Sequence, residues 1–117
     1  MPETIQAAVD KYVAAVNGIA ESSLFSAETL ARMTLFLESD DRVFLWFHAD
    51  GVVNARRLTF KPAGTRRLGN VPVPFSRYAQ ILDLLRNESG RVAMTVEDEE
   101  ILEFAVTSSL EPAGEGE

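Results

Sequence analysis

Apolar side chains recur every three or four residues from Ile5 through Val9, Tyr12, Val13 and Val16 to Ile19, with Asp10, Lys11 and Asn17 between them. That spacing predicts an amphipathic helix over residues 3–20. Gly18 and Glu21-Ser22-Ser23 mark its end, and Ser26-Ala27-Glu28 suits either one capped turn or the start of a strand. From Leu30 the period falls to two. Ala31, Met33, Leu35 and Leu37 alternate with Arg32, Thr34, Phe36 and Glu38 up to a turn at Ser39-Asp40-Asp41, which predicts a first strand. A second strand, Arg42 to Ala49, leads to Asp50-Gly51, a pair that tolerates the positive φ of a type I′ hairpin, and then to a third, Val52 to Lys61.

Pro62-Ala63-Gly64-Thr65 breaks this sheet, and the prolines of Val71-Pro72-Val73-Pro74 restrict that segment to an edge strand or an extended connector. Ser76 then caps a helix whose apolar stripe is Tyr78, Ile81, Leu82 and Leu85, and Asn87-Glu88-Ser89-Gly90 stops it. The last unit is a hairpin, Arg91 to Val96 and Ile101 to Thr107, around Glu97-Asp98-Glu99-Glu100. The order helix, three-stranded meander, helix, hairpin predicts an α+β fold on a five-stranded antiparallel sheet. One domain is expected over residues 1–110, followed by a disordered acidic tail, 111–117.

Strand parity separates two faces. Met33, Leu35 and Leu37, then Val43, Leu45 and Phe47, then Leu58 and Phe60 form the expected core. The opposite face holds Phe36, then Phe44, Trp46 and His48, then Arg57, Thr59 and Lys61. Three aromatic side chains do not belong on a solvated outer face, so a cover is expected: the first helix, a second copy of the chain, or a ligand.

Charge sharpens this picture. Residues 51–82 contain Arg56, Arg57, Lys61, Arg66, Arg67 and Arg77 and no carboxylate, whereas the remainder holds five basic against eighteen acidic residues, a net of −13 in a chain of net charge −7. A basic island on an acidic body is either a docking surface or one half of a pairing within the protein or between subunits. The acidic final hairpin, Glu97 to Glu103, is the expected internal partner.

The chemistry is sparse. With no cysteine and one histidine, the chain has no disulfide, thiolate nucleophile or cysteine metal site. No phosphate-binding loop or nucleophile elbow is present. His48 beside Trp46, with Asp50 two residues on, reads as a packed histidine, and two ligands do not make a metal site. No enzyme activity, cofactor or metal is therefore expected. No apolar run spans a membrane and no leader is recognisable, so a soluble cytoplasmic protein is expected.

Two resemblances follow from element order. Arg66-Arg67-Leu68-Gly69 ahead of Val71 to Phe75 and the Ser76 helix resembles single-stranded nucleic-acid modules of coactivator and PUR type. That implies contacts through Arg56, Arg57, Lys61, Arg66, Arg67, Arg77 and Tyr78. The whole order resembles type III secretion chaperones and YbjN-like proteins, which implies a dimeric, non-catalytic protein-binding module. The primary expectation is protein binding and homodimerisation through Phe36, Phe44, Trp46, His48, Arg57, Thr59 and Lys61. Single-stranded nucleic acid is the alternative partner.

Overall fold

The computed structural model describes residues 2–16, 29–49, 58–87 and 90–108. Seven strands run β1 (Glu3–Val16), β2 (Thr29–Leu37), β3 (Arg42–His48), β4 (Thr59–Ala63), β5 (Arg66–Pro74), β6 (Gly90–Glu97) and β7 (Glu100–Ser108), with one helix, α1 (Tyr78–Asn87), between β5 and β6. They close into a barrel in the order β1-β2-β3-β5-β4-β7-β6. This overturns the expected five-stranded antiparallel α+β sheet with two helices: the chain is a mixed barrel, mostly strand, with one short helix. Asp50-Gly51, Arg56, Arg57 and the tail 111–117 lie outside the described residues.

The expected first helix is the strand β1, and its register explains the misleading pattern. Ile5, Ala7 and Val9 face the barrel interior at period two. A bulge at Asp10 then inserts one residue, because Val9 pairs with Leu37 and Tyr12 with Leu35. Inward positions therefore run 5, 7, 9 and then 12, 14, 16. With alanine at 7 and 14, the large side chains fall at 5, 9, 12 and 16, which is helical spacing written by a bulged strand.

The expected meander also fails. β3 pairs with β5 in parallel, Val43 opposite Gly69 and Phe47 opposite Val73, while β4 lies on the far side of β5. β4 runs through Pro62 to Ala63 and turns at Gly64, whose φ of 69° suits glycine, so this stretch forms a hairpin and does not break the sheet. β5 is also longer than the four-residue connector expected at 71–74. Its described ladder to β4 ends at Asn70, so among the described residues Pro72 and Pro74 are flanked by β3 alone, which is where a strand tolerates proline. With the first helix and the meander gone, the order of helix, three strands, helix and two strands behind the chaperone resemblance is not the one found.

The barrel closes through a short seam at which Thr59 faces Glu100, Phe60 N–H donates to the Glu99 carbonyl (2.9 Å) and Ile101 N–H donates to the Leu58 carbonyl (2.9 Å). The interior is apolar: Met33, Leu35, Val43, Leu45, Phe47, Phe60 and Val92 are fully buried. Gly69 lets β5 pass close to two of them, since a Cβ there would lie 3.2 Å from Phe60 and 3.3 Å from Val43. The β6–β7 hairpin turns at Asp98 and Glu99 with φ of 52° and 66°, a type I′ arrangement.

The two ends are finished differently. At the upper end, α1 lies against β6 and β7, and Tyr78 meets Phe47 edge-on at 5.0 Å and Phe75 at 5.4 Å. Burying this aromatic trio anchors a helix of only ten residues, too short to hold in isolation. At the lower end, Arg67 lies over the Phe60 ring at 4.7 Å and reaches across to β1, pairing with Glu3 at 3.1 Å. No described helix is long and apolar enough to cross a membrane.

Candidate functional site

Register across five strands builds one outward surface. Lys11, Phe36, Arg42, Leu68 and Lys61 form a row, because Lys11 pairs with Phe36, Phe36 with Arg42, Arg42 with Leu68 and Leu68 with Lys61. Val13, Thr34, Phe44, Asn70 and Thr59 form the next row by the same ladders, and Ala15, Arg32, Trp46 and Pro72 the third. Alternation puts these side chains on the barrel's outside while their neighbours Met33, Leu35, Val43 and Leu45 fill its core.

Phe36, Phe44 and Trp46 are half-buried, and α1, the one described helix, packs on β6 and β7 at the upper end, away from them. The cover expected for this face is therefore not a helix of the described chain.

The rings are held in place by their neighbours. Trp46 Nε1 donates to Asn70 Oδ1 at 3.0 Å, which fixes the indole against β5, and the Phe44 and Trp46 rings lie 6.2 Å apart at 32°. Cations gather on the ring faces: Lys11 and Arg42 stand 5.0 and 4.8 Å from the Phe36 centroid, and Arg32 5.7 Å from that of Trp46. Each such contact contributes about 0.5–1 kcal/mol at a partly exposed site and leaves guanidinium donors available to a further acceptor. Lys61 is exposed at the end of its row. The ion pairs between described residues tie none of these four cations to a carboxylate.

The expected site residues divide. Phe36, Phe44, Trp46, Thr59 and Lys61 share the surface, with Thr59 and Lys61 reached through β5. His48 follows the same parity but is buried at the upper end, opposite Thr29 and Pro74. Arg57 is outside the described residues. Lys11, Arg32 and Arg42 belong to the surface and were not singled out by the sequence. They come from three separate strands in the acidic part of the chain, and only the period-two alternation of Arg32 and Arg42 with core residues pointed to them.

The alternative set, Arg56, Arg57, Lys61, Arg66, Arg67, Arg77 and Tyr78, does not converge among the described residues. Arg66 pairs with Asp40 at 3.3 Å. Asp41 accepts the Arg67 backbone N–H at 2.8 Å, the Arg67 guanidinium at 3.4 Å and the Ser39 hydroxyl at 3.3 Å. The acids holding this arginine pair are thus Asp40, Asp41 and Glu3, on the β2–β3 turn and β1, and not the final hairpin. Arg77 and Tyr78 belong to the upper end, where Arg77 lines a groove of about 430 Å³ between β5, β7 and α1 and bonds Gln80 at 3.5 Å.

Among the described residues, no group of three or more His, Asp or Glu residues stands close enough to hold a metal ion. What the outer surface offers is stacking area bordered by cations, suited to an extended ligand carrying negative charge and flat or apolar groups. No protein-family model, curated protein or solved structure matches this chain.

Proposed function

We propose that this protein is a non-enzymatic binding module whose outer barrel face engages an acidic segment of a protein partner. The observation that carries the reading is the convergence of Phe36, Phe44 and Trp46 with Lys11, Arg32, Arg42 and Lys61 on one surface of β1, β2, β3, β5 and β4. Aromatic and arginine side chains together are the usual composition of residues that dominate protein interfaces. The arginines already lie flat against rings, so little side-chain entropy remains to be lost when a carboxylate docks on them.

A second reading, single-stranded nucleic acid, draws on the same rings and cations, since bases stack on aromatic faces and phosphates seek guanidinium groups. Two features place it behind the first. The chain carries −7 overall, and the acidic turn Glu97 to Glu100 adjoins the surface where Thr59 meets Glu100.

Trp46 is the only tryptophan, so its emission reports on the face directly. Titration with a short peptide alternating glutamate and isoleucine is expected to shift that emission saturably, and oligo-deoxythymidine to leave it unchanged at physiological salt. A saturable response to the oligonucleotide alone, weakening steeply with salt, would move the assignment to nucleic acid. No response to either would remove the face as a binding site for these ligands.

A further inference from the structure

We infer that two copies of this chain pair edge to edge through the upper half of β1, Lys11 to Val16, in an antiparallel, two-fold arrangement centred on Val13. This edge borders the aromatic face at Lys11 and Val13, and the inference rests on the open backbone edge of β1 and not on what that face binds.

Among the described residues, β1 is flanked on both sides only up to Ala8. On one edge β2 accompanies it from Val9 to Val16, but on the other the β6 ladder ends at Ala8 opposite Arg91. The bulge at Asp10 lies where closure stops, and beyond it one backbone edge of β1 has no strand partner among the described residues. Such an edge presents alternating N–H and C=O groups ready to extend a sheet, and proteins that keep one exposed protect it with proline, charge or a further bulge. From Tyr12 to Val16 the sequence is Tyr-Val-Ala-Ala-Val, with none of these. The two valines point to opposite faces and are 56% and 57% exposed, Val13 on the outer face and Val16 on the inner.

A second copy fits this edge better than an unrelated strand because the edge is complementary to itself. A two-fold axis perpendicular to the sheet keeps outer side chains on the outer face, so residues pair with the same parity. With the axis at Val13, Val13 meets the partner's Val13, Lys11 meets the partner's Ala15 and Tyr12 meets the partner's Ala14. β-Branched and small residues then fill the centre. No like charges oppose each other: the two Lys11 ammonium groups are separated by four residues of strand, about 13 Å, beyond the Debye length of about 8 Å at physiological salt. On the inner face Val16 lies diagonal to the partner's Tyr12. The second copy would also join two aromatic faces into one sheet surface, with Thr34 and Phe44 of each copy on either side of the axis.

Sedimentation equilibrium of the full chain over a wide concentration range tests this. The mass is expected to rise from one chain of 12.9 kDa to two, and V13K, which sets two ammonium groups against each other on the axis, is expected to weaken dimerisation at least tenfold with an unchanged far-UV spectrum. As the chain has no cysteine, V13C provides a second readout: a short bis-maleimide should join two copies, and should not do so in an otherwise identical chain carrying the cysteine at Thr4. A single-chain mass at every concentration overturns the inference, as does a dimer that V13K leaves intact. Should V13K fail to fold, the V13C cross-link decides. W46A is expected to remain dimeric, so loss of partner binding and loss of the dimer are separate results.

Discussion

Arg66 and Arg67 at the lower end of the barrel and Arg32 and Arg42 on its outer wall are the same side chain in opposite situations. The first two face carboxylates: Asp40 holds Arg66, and Asp41 with Glu3 holds Arg67, which also covers the Phe60 ring beneath it. The second two face aromatic rings. A guanidinium bonded to carboxylates fastens strands, whereas one lying only on a ring keeps donors for a partner. Under the proposed function, basic residues mark a binding surface through what they touch and not through how densely they fall in the sequence.

The largest effect is expected at the fastened pair. Asp41→Ala leaves the Arg67 backbone N–H and guanidinium without their acceptor at a buried position, which should cost about 2–3 kcal/mol. Urea unfolding would show it as a lower midpoint with an unchanged slope. A variant as stable as the parent would mean that the lower end is not held by this contact.

On the wall the expected loss is in binding. Trp46→Ala removes the central ring and its bond to Asn70, and should weaken partner affinity at least tenfold, about 1.4 kcal/mol, while lowering stability by about 1 kcal/mol. Isothermal titration and thermal melting separate the two quantities. If melting drops by several kcal/mol while affinity stays, the ring is structural.

Arg32→Ala and Arg42→Ala should each change stability by about 0.5–1 kcal/mol, the size of one cation–ring contact. A loss comparable to that of Asp41→Ala would erase the distinction between the two sets. The smallest effect is expected for Arg66→Ala. Its Asp40 partner is largely exposed, and such pairs contribute about 0.5 kcal/mol or less. Chemical denaturation with replicate midpoints is sensitive enough to bound it.

Part of this molecule was readable in the sequence. Clean alternation in β2 and β3 and the hairpin of β6 and β7 were visible because each large apolar residue alternates with a polar or aromatic one that faces outward. The stripe of α1 was visible because Tyr78, Ile81, Leu82 and Leu85 fall on one side of a helix. β1 was misread because its bulge converts a two-residue period into a helical one, and a bulge has no residue signature when alanines occupy the intervening inward positions. Closure was hidden for a different reason. It depends on β5 pairing in parallel with β3 and on a one-pair seam between β4 and β7, both long-range contacts that no local pattern encodes.

The site was legible to a similar degree. Phe36, Phe44 and Trp46 were found because three rings stand on the polar side of alternating strands. The surrounding cations were sought in the dense basic segment, but Lys11, Arg32 and Arg42 come from three successive strands outside it and become neighbours through register. Asp40 and Asp41, read from the sequence only as a turn, engage Arg66 and Arg67.

The central claim, that cations on rings bind a partner while cations on carboxylates hold the barrel, is tested most directly by one titration. Trp46 emission would be followed as the glutamate–isoleucine peptide is added to the parent, to an Arg32→Glu/Arg42→Glu double variant and to Arg66→Ala. Saturable binding is expected in the parent and in Arg66→Ala, and its loss in the double variant, all three proteins being folded by far-UV circular dichroism. Binding that survives in the double variant, or that is lost in Arg66→Ala, would contradict it.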